Sequence, residues 1–386
     1  MLVFFASLCG WRVPNCGQVK EFRYSRLSLA LGGAGIGLIF GNVMGIVMKK
    51  LVLLATALAM VSGSALAADM PLKAVKAPPP AAFDPWDIAF GSAIMNDYIF
   101  RGVTQSNHKP SVAAYFEPRY NVTKDLQLYV GSSFESISFP NRAAAEVDIY
   151  GGIRPTFGAF AFDIGVWGYL YPGGTCYFGA PVDTSGKALS ADCANPLFFL
   201  PNGNVAKKNA SFFEVYGKVN YTINDNWQFG VNEYYSPNFL NTGAWGNYAS
   251  ITGKWTAPST TFGTSGVGMY VSGEFGRQWL GTSDSFYGVV QLAGFPNYTR
   301  GIPEPSYNTW NIGIGFTYKV FTLDLRYSDT NLSKGNCNAF TSDYTASSAS
   351  VGNVSAINPG GFGSNWCGAA GIAKLSADLT AMTNLK

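Results

Sequence analysis

From Trp86 onward the chain alternates apolar and polar residues in runs about ten residues long. In the run that starts at Phe160, Phe160, Phe162, Ile164 and Val166 fall on one face, and Asp163, Gly165, Trp167 and Tyr169 on the other. From Phe321, residues Phe321, Leu323, Leu325 and Tyr327 oppose Thr322, Asp324 and Arg326. From Ser211, residues Phe213, Val215 and Val219 oppose Glu214, Lys218 and Asn220. A period of two means a strand whose faces meet different surroundings. Twelve such runs are predicted, starting at Trp86, Val112, Leu126, Glu146, Phe160, Ser211, Trp227, Tyr248, Gly266, Asn308, Phe321 and Gly371.

The connections discriminate between architectures. Val122–Asp125, Asn224–Asn226 and Lys319–Val320 are short, whereas Pro172–Ala210 and Ser328–Ala370 are long and polar. Short turns alternating with long loops, an even strand number and one apolar face predict an all-β fold: a transmembrane antiparallel β-barrel of about twelve strands. Trp86, Tyr98, Tyr129, Tyr221, Trp167, Trp227, Trp255 and Trp279 are expected to supply interfacial aromatic girdles. A secreted β-sandwich also alternates. Composition disfavours it, because charged residues make up only 13% of the chain, about half the usual share of a soluble domain.

The first 67 residues follow a different rule. Met48-Lys49-Lys50 is a short basic start, Leu51–Leu66 is apolar or small, and Ala65-Leu66-Ala67 fits a cleavage site before Ala68. Residues 48–67 therefore read as a secretory signal, and 1–47 as an upstream extension from a misplaced start. A signal-anchor over Leu29–Val47 competes, against which Gly32, Gly33, Gly35, Gly37, Gly41 and Gly45 make a poor helix. Residues 68–83 form a Pro/Ala/Lys spacer, and 84–386 the barrel. Without residues 1–67 the chain keeps 26 − 6 = 20 basic and 23 − 1 = 22 acidic side chains, a net charge of −2. Nucleic acid is thereby disfavoured as a partner.

Export makes disulfides plausible. Of the cysteines beyond residue 67, spacing favours Cys176 with Cys193 and Cys337 with Cys367. A zinc site would lack a CxxC pair and has a single histidine, His108, in the whole chain. No cofactor-binding motif is found: GGAGIG at Gly32 follows no strand. Calcium on acidic loop residues is left open.

The stretch NDYIFRGVTQS, Asn96–Ser106, breaks the alternation. Asp97, Ser106 and His108 could form an acid, nucleophile and base, but they share one short segment where a triad draws on separate elements. Otherwise Tyr98 and Phe100 face one side of a strand, and Asp97, Ile99 and Arg101 the other, with Gly102 bending it. Asp97 and Arg101 are then wall residues of a water-filled lumen. Further charges share the strand runs: Arg119, Arg154, Lys218, Lys254, Arg277 and Arg326 with Glu117, Asp148, Asp163, Glu214, Glu233, Glu274 and Asp324. Mixed charges suit a weakly selective pore or a barrel plugged by ion pairs.

Several segments carry a family resemblance. Asn96–Gly102, Glu214-Val215-Tyr216, Tyr234–Phe239, Gly276-Arg277-Gln278 and Asp329-Thr330-Asn331 occur in the order found in the TorF-type porins, which this chain resembles from Trp86 to about Leu332. The resemblance implies an outer-membrane barrel that passes small solutes. The chain departs from the pattern at its end, Ala381–Lys386, which lacks the terminal aromatic that such barrels commonly carry. Its Ala68-Asp69-Met70-Pro71 start also looks like smaller surface barrels of alphaproteobacteria. Expected partners are outer-membrane lipid, small hydrophilic solutes and the barrel-assembly machinery. The oligomeric state stays open, and the competing functions are a non-conducting surface barrel and an outer-membrane enzyme.

Overall fold

The computed structural model describes residues 85–178, 205–289, 294–346 and 350–385. The signal, its cleavage site at Ala67–Ala68, the spacer and Cys193 lie outside the described residues. β1 (Trp86–Met95) is followed by a short pair, β2 (Ile99–Phe100) and β3 (Val103–Thr104), and then by β4 (Ser111–Thr123), β5 (Leu126–Glu135), β6 (Glu146–Phe157) and β7 (Phe160–Leu170). A second short pair, β8 (Tyr177–Phe178) and β9 (Val205–Ala206), precedes β10 (Phe212–Thr222), β11 (Trp227–Ser236) and β12 (Gly246–Thr256). The chain continues through β13 (Val267–Leu280), β14 (Tyr307–Tyr318), β15 (Phe321–Thr330) and β16 (Ala370–Thr380).

The twelve long strands match the twelve predicted runs and close into one antiparallel barrel, in the order β1-β16-β15-β14-β13-β12-β11-β10-β7-β6-β5-β4. β4 pairs with β1 along its length and β16 pairs with both β15 and β1, so the closing strand is the one that begins near Gly371. Closure matters physically: a sheet edge in hydrocarbon would leave backbone N–H and C=O groups without partners. With an even strand count, β1 begins and β16 ends on the side of the short turns. The strand ends joined by the long connections 96–110, 136–145, 171–211, 237–245, 281–306 and 331–369 lie at the other end, which in barrels of this type faces outward.

The outer face is apolar. Val130, Ile149, Ile164, Val166, Val215, Val231, Ile251 and Ile312 project from mid-strand with large exposed surfaces. Trp86, Tyr120, Phe157, Phe160, Tyr221, Trp227, Tyr318 and Phe321 ring the short-turn end, and Phe134, Phe213, Tyr235, Trp245 and Tyr327 the loop end. These are the lipid-facing belt and its interfacial girdles. Tyr98, Tyr129 and Trp167 do not belong to the girdles: Tyr129 and Trp167 alternate with the lipid-facing set on β5 and β7, and Tyr98 lies in the first long loop.

A charge in this belt has no water to solvate it. Val231 sits mid-strand on β11, paired with Val219 and Ile251. Val231→Arg is expected to destabilise the folded barrel by about 2–4 kcal/mol. The inward neighbour change Asn232→Arg is expected to cost less, as read by urea unfolding of the refolded protein in detergent.

Candidate functional site

The first long loop does not leave the barrel. β2 and β3 form a hairpin whose two-residue turn is Arg101-Gly102, with φ of 47° and 78°. Two consecutive positive φ values match the turn type that follows the natural twist of a hairpin. Glycine accepts this easily and arginine does not, so Arg101 is held there by contacts made elsewhere. At Gly102 space is also decisive, because a Cβ would lie 2.2 Å from Thr330 Cγ2 and 2.6 Å from Thr309 Oγ1. The turn is therefore seated against the inner wall of β14 and β15.

From that turn the Arg101 side chain reaches the far wall. Its Nη1 donates to Glu214 Oε1 at 2.8 Å and its Nη2 to Glu214 Oε2 at 2.7 Å, while Nη1 also donates to Gln278 Oε1 at 3.0 Å. The guanidinium lies over the rings of Tyr248, Phe100 and Tyr234 at 4.4, 4.6 and 4.8 Å. Tyr248 can lie flat against the wall because its ring covers Gly276, where a Cβ would come within 2.3 Å of the hydroxyl. Burial by itself works against a charged guanidinium, but Glu214's charge and hydrogen bonds more than offset it and raise the Arg101 pKa. β10, which carries Glu214, is five strands from β1 in one direction and seven in the other, so the hairpin spans the lumen.

Asp97 organises the base of the hairpin. Its Oδ1 accepts from Thr104 Oγ1 at 2.6 Å and Ser106 Oγ at 3.1 Å, and its Oδ2 faces His108 Nδ1 at 2.6 Å. His108 Nε2 faces the carbonyl of Asn365 at 2.9 Å. Acceptors face both ring nitrogens, an arrangement that favours the protonated imidazole, in which both are donors. The side-chain hydrogen bond to Asp97 is the main cause of its raised pKa, burial opposes it, and the bond to Asn365 and the charges of Asp97 and Asp343 add to it. Ser106, Asp97 and His108 do come together, yet the single proton of Ser106 Oγ has the Lys109 carbonyl and Asp97 as its acceptors. Among the described residues no hydrogen bond joins Ser106 to His108, so the arrangement lacks the nucleophile–base contact of a triad.

The last long loop clamps the hairpin. Cys337 and Cys367 are joined by a disulfide, Val103 bridges to Cys367 through the backbone, and Thr104 N donates to the Trp366 carbonyl at 2.9 Å. Trp366 Nε1 donates to Asn107 Oδ1 at 2.9 Å. Cys176 is also disulfide-bonded.

The other candidate charges divide by strand parity. Glu117 and Arg119 on β4, Asp148 and Arg154 on β6, Asp163 on β7, Glu214 and Lys218 on β10, Lys254 on β12, Glu274 on β13, and Asp324 and Arg326 on β15 face the lumen. Arg154 binds Glu117 at 2.7 Å and Asp163 at 3.4 Å, Arg119 binds Glu117 at 2.6 Å, and Arg326 binds Asp324 at 3.0 Å. Three expectations are corrected. Arg277 shares its parity with lipid-facing Phe275 and stands on the outer surface near the loop end, bonded to Asn308 and beside Trp279. Glu233 shares its parity with Val231 and lies outside too, bonded to Asn247. Arg101 and Asp97 are parts of an inserted loop and do not sit on the barrel wall. Tyr171 was not singled out from the sequence, and the interior roles of Tyr98 and Gln278 were not read there, although Gln278 alternates with Phe275 in a readable strand.

The sign of the His108 effect sets a pH dependence. A raised folded-state pKa stabilises the loop below the ordinary histidine value of about 6.5, and the contribution is lost as pH rises through the folded-state value. The thermal midpoint of the wild-type protein is expected to fall over this interval more than that of His108→Ala. Equal slopes between about pH 5 and 9 would show that this latch does not titrate.

Residues 80–190 match the model of a bacterial protein family of unknown function, Gcw_chp. No curated protein matches the chain. Similar solved structures include an outer-membrane channel from Pseudomonas putida F1, at 8% identity over 78% of this chain and 98% of that one, with a TM-score of 0.37. A loop-deletion form of OmpT, an outer-membrane protein of Vibrio cholerae, is 10% identical over 77% of this chain and 100% of its own, with a TM-score of 0.31. LpxR from Salmonella typhimurium is 8% identical over 75% and 99%, with a TM-score of 0.33. These are likenesses to barrels, and the membrane placement stands on the chain's own lipid-facing belt and edge-free sheet. The chain is an outer-membrane β-barrel.

Proposed function

We propose that the protein is a narrow diffusion channel for small hydrophilic solutes, with the Asn96–Pro110 loop as its constriction. The observation that supports this most is the space left beside the hairpin. A cavity of about 580 Å³ runs from Asp97, Tyr98 and Ile99 along β1, β4, β15 and β16 to Asp378. A second, of about 440 Å³, shares Tyr115 and Asp378 with it and continues to Thr383 and Asn384 at the short-turn end. Glu135, Glu274, Asp324, Arg326, Lys374 and Asp378 line the larger one, so its wall is polar and suited to hydrated solutes. The resemblance to the TorF-type porins favours the same reading, and no catalytic step is part of it.

A non-conducting surface barrel is the second reading, favoured by the Arg101–Glu214 crossing. Single-channel recording in planar bilayers separates the two. Discrete, small conductance steps are expected from the wild-type chain, with larger steps from Arg101→Ala, which frees the hairpin from the far wall. A folded, heat-modifiable barrel giving no steps in either form would establish the plugged alternative.

A further inference from the structure

A cluster of carboxylates at the loop end of the β5–β6 hairpin plays no part in the ion pairs described above. The strand register sets Glu135 directly opposite Glu146, and Ser133 opposite Asp148. All three acids face inward, and one oxygen from each lies within 4.8 Å of the others. Like charges directly opposed across a strand pair destabilise the sheet. Among the described residues none of the recorded ion pairs reaches any of the three. Their hydrogen-bond donors are neutral: Tyr98 Oη at 2.6 Å and Tyr171 Oη at 2.9 Å to Glu146, and Ser133 Oγ at 3.0 Å to Asp148 and 3.4 Å to Glu135.

One oxygen in this cluster lacks a well-formed hydrogen bond. Asp148 is 3% exposed, and its Oδ1 is buried without a hydrogen bond. The Trp167 indole N–H is the neighbouring donor and favours the charged carboxylate, but the contact is not a well-formed hydrogen bond at either end. A buried carboxylate oxygen so weakly satisfied is costly and leaves a place for a further partner. Asp148, Glu135 and Trp167 all line a cavity of about 370 Å³ inside the barrel, so a hydrated ion has access and room to keep part of its water.

We propose that Glu135, Glu146 and Asp148 bind a hard divalent cation of the calcium class. The ligands are oxygens only, which selects hard cations over zinc or copper. Calcium–oxygen distances of about 2.3–2.6 Å let one ion touch three oxygens spaced this way, with cavity water completing the shell. Three negative charges against one divalent ion also resolve the cross-strand repulsion. Glu146 accepts from Tyr98, at the base of the inserted hairpin, so the ion braces the loop against the wall. The site stands independently of whether the barrel conducts.

The test uses the full refolded chain, stripped with chelator and titrated with terbium, whose emission is sensitised by a nearby indole such as Trp167. Saturable emission displaced by calcium is expected in the wild type, with affinity weakened at least about tenfold in Asp148→Asn. Glu135→Gln, at a less buried strand end, gives the same readout with less risk to folding. A calcium-dependent rise in the thermal midpoint should accompany binding and vanish in the variants. Absence of saturable emission, or variants that bind like the wild type, would overturn the site and leave protons as the agent that quiets the cluster.

Discussion

The buried pair of Arg101 and Glu214 is the constraint on which the interior depends. Arg101 is 6% exposed at its side chain and Glu214 0%, and removing either member of such a pair strands the other charge in a poorly solvated place, at a cost of about 3–5 kcal/mol. The bidentate geometry fixes direction as well as distance. It holds a positive-φ arginine at a hairpin tip, and it directs the first long loop across the lumen instead of out into solvent. Gln278, Tyr234 and Tyr248 come from three further strands, so β10 to β13 together supply a complete socket for one side chain.

That crossing divides the lumen into unequal parts. On the β4–β10 side, Arg154, Glu117, Asp163, Tyr129 and Tyr216 bond to one another in the half nearer the short turns. On the β1, β15 and β16 side a polar cavity remains. The loop clipped by Cys337–Cys367 covers the hairpin from above, through Trp366 and the Asn365 carbonyl. Hairpin, cover and the cavity beside them are thus parts of one packed assembly, in which the hairpin is held by the wall on one side and by the last loop on the other.

The barrel was legible because lipid and water impose opposite demands on alternate residues. Runs such as Phe160–Leu170 and Phe321–Thr330 declare both strand and facing through that alternation alone. Extending the same parity along β13 would have put Arg277 on the outside with Phe275, and along β11 it would have put Glu233 there with Val231. Counting both by strand membership alone hid this. The inserted hairpin was not legible. NDYIFRGVTQS has the turn glycine, but whether the turn points inward depends on Glu214, Gln278 and Thr330, which are more than 110 residues away. Asp97 and Arg101 therefore looked like two residues of one wall, whereas the partners of Asp97 are Thr104, Ser106 and His108, supplied by the return of its own loop. The acidic cluster was half visible: Glu146 and Asp148 share a face in the sequence, and only the β5–β6 register adds Glu135.

The most direct measurement is a double-mutant cycle on Arg101 and Glu214, with unfolding free energies of the wild type, Arg101→Ala, Glu214→Ala and the double variant determined in detergent. A hairpin pinned across the lumen by this pair predicts strong non-additivity, with a coupling on the order of 1–3 kcal/mol and a double variant no less stable than the worse single one. Additive losses would mean that the two side chains do not meet and that the loop lies elsewhere.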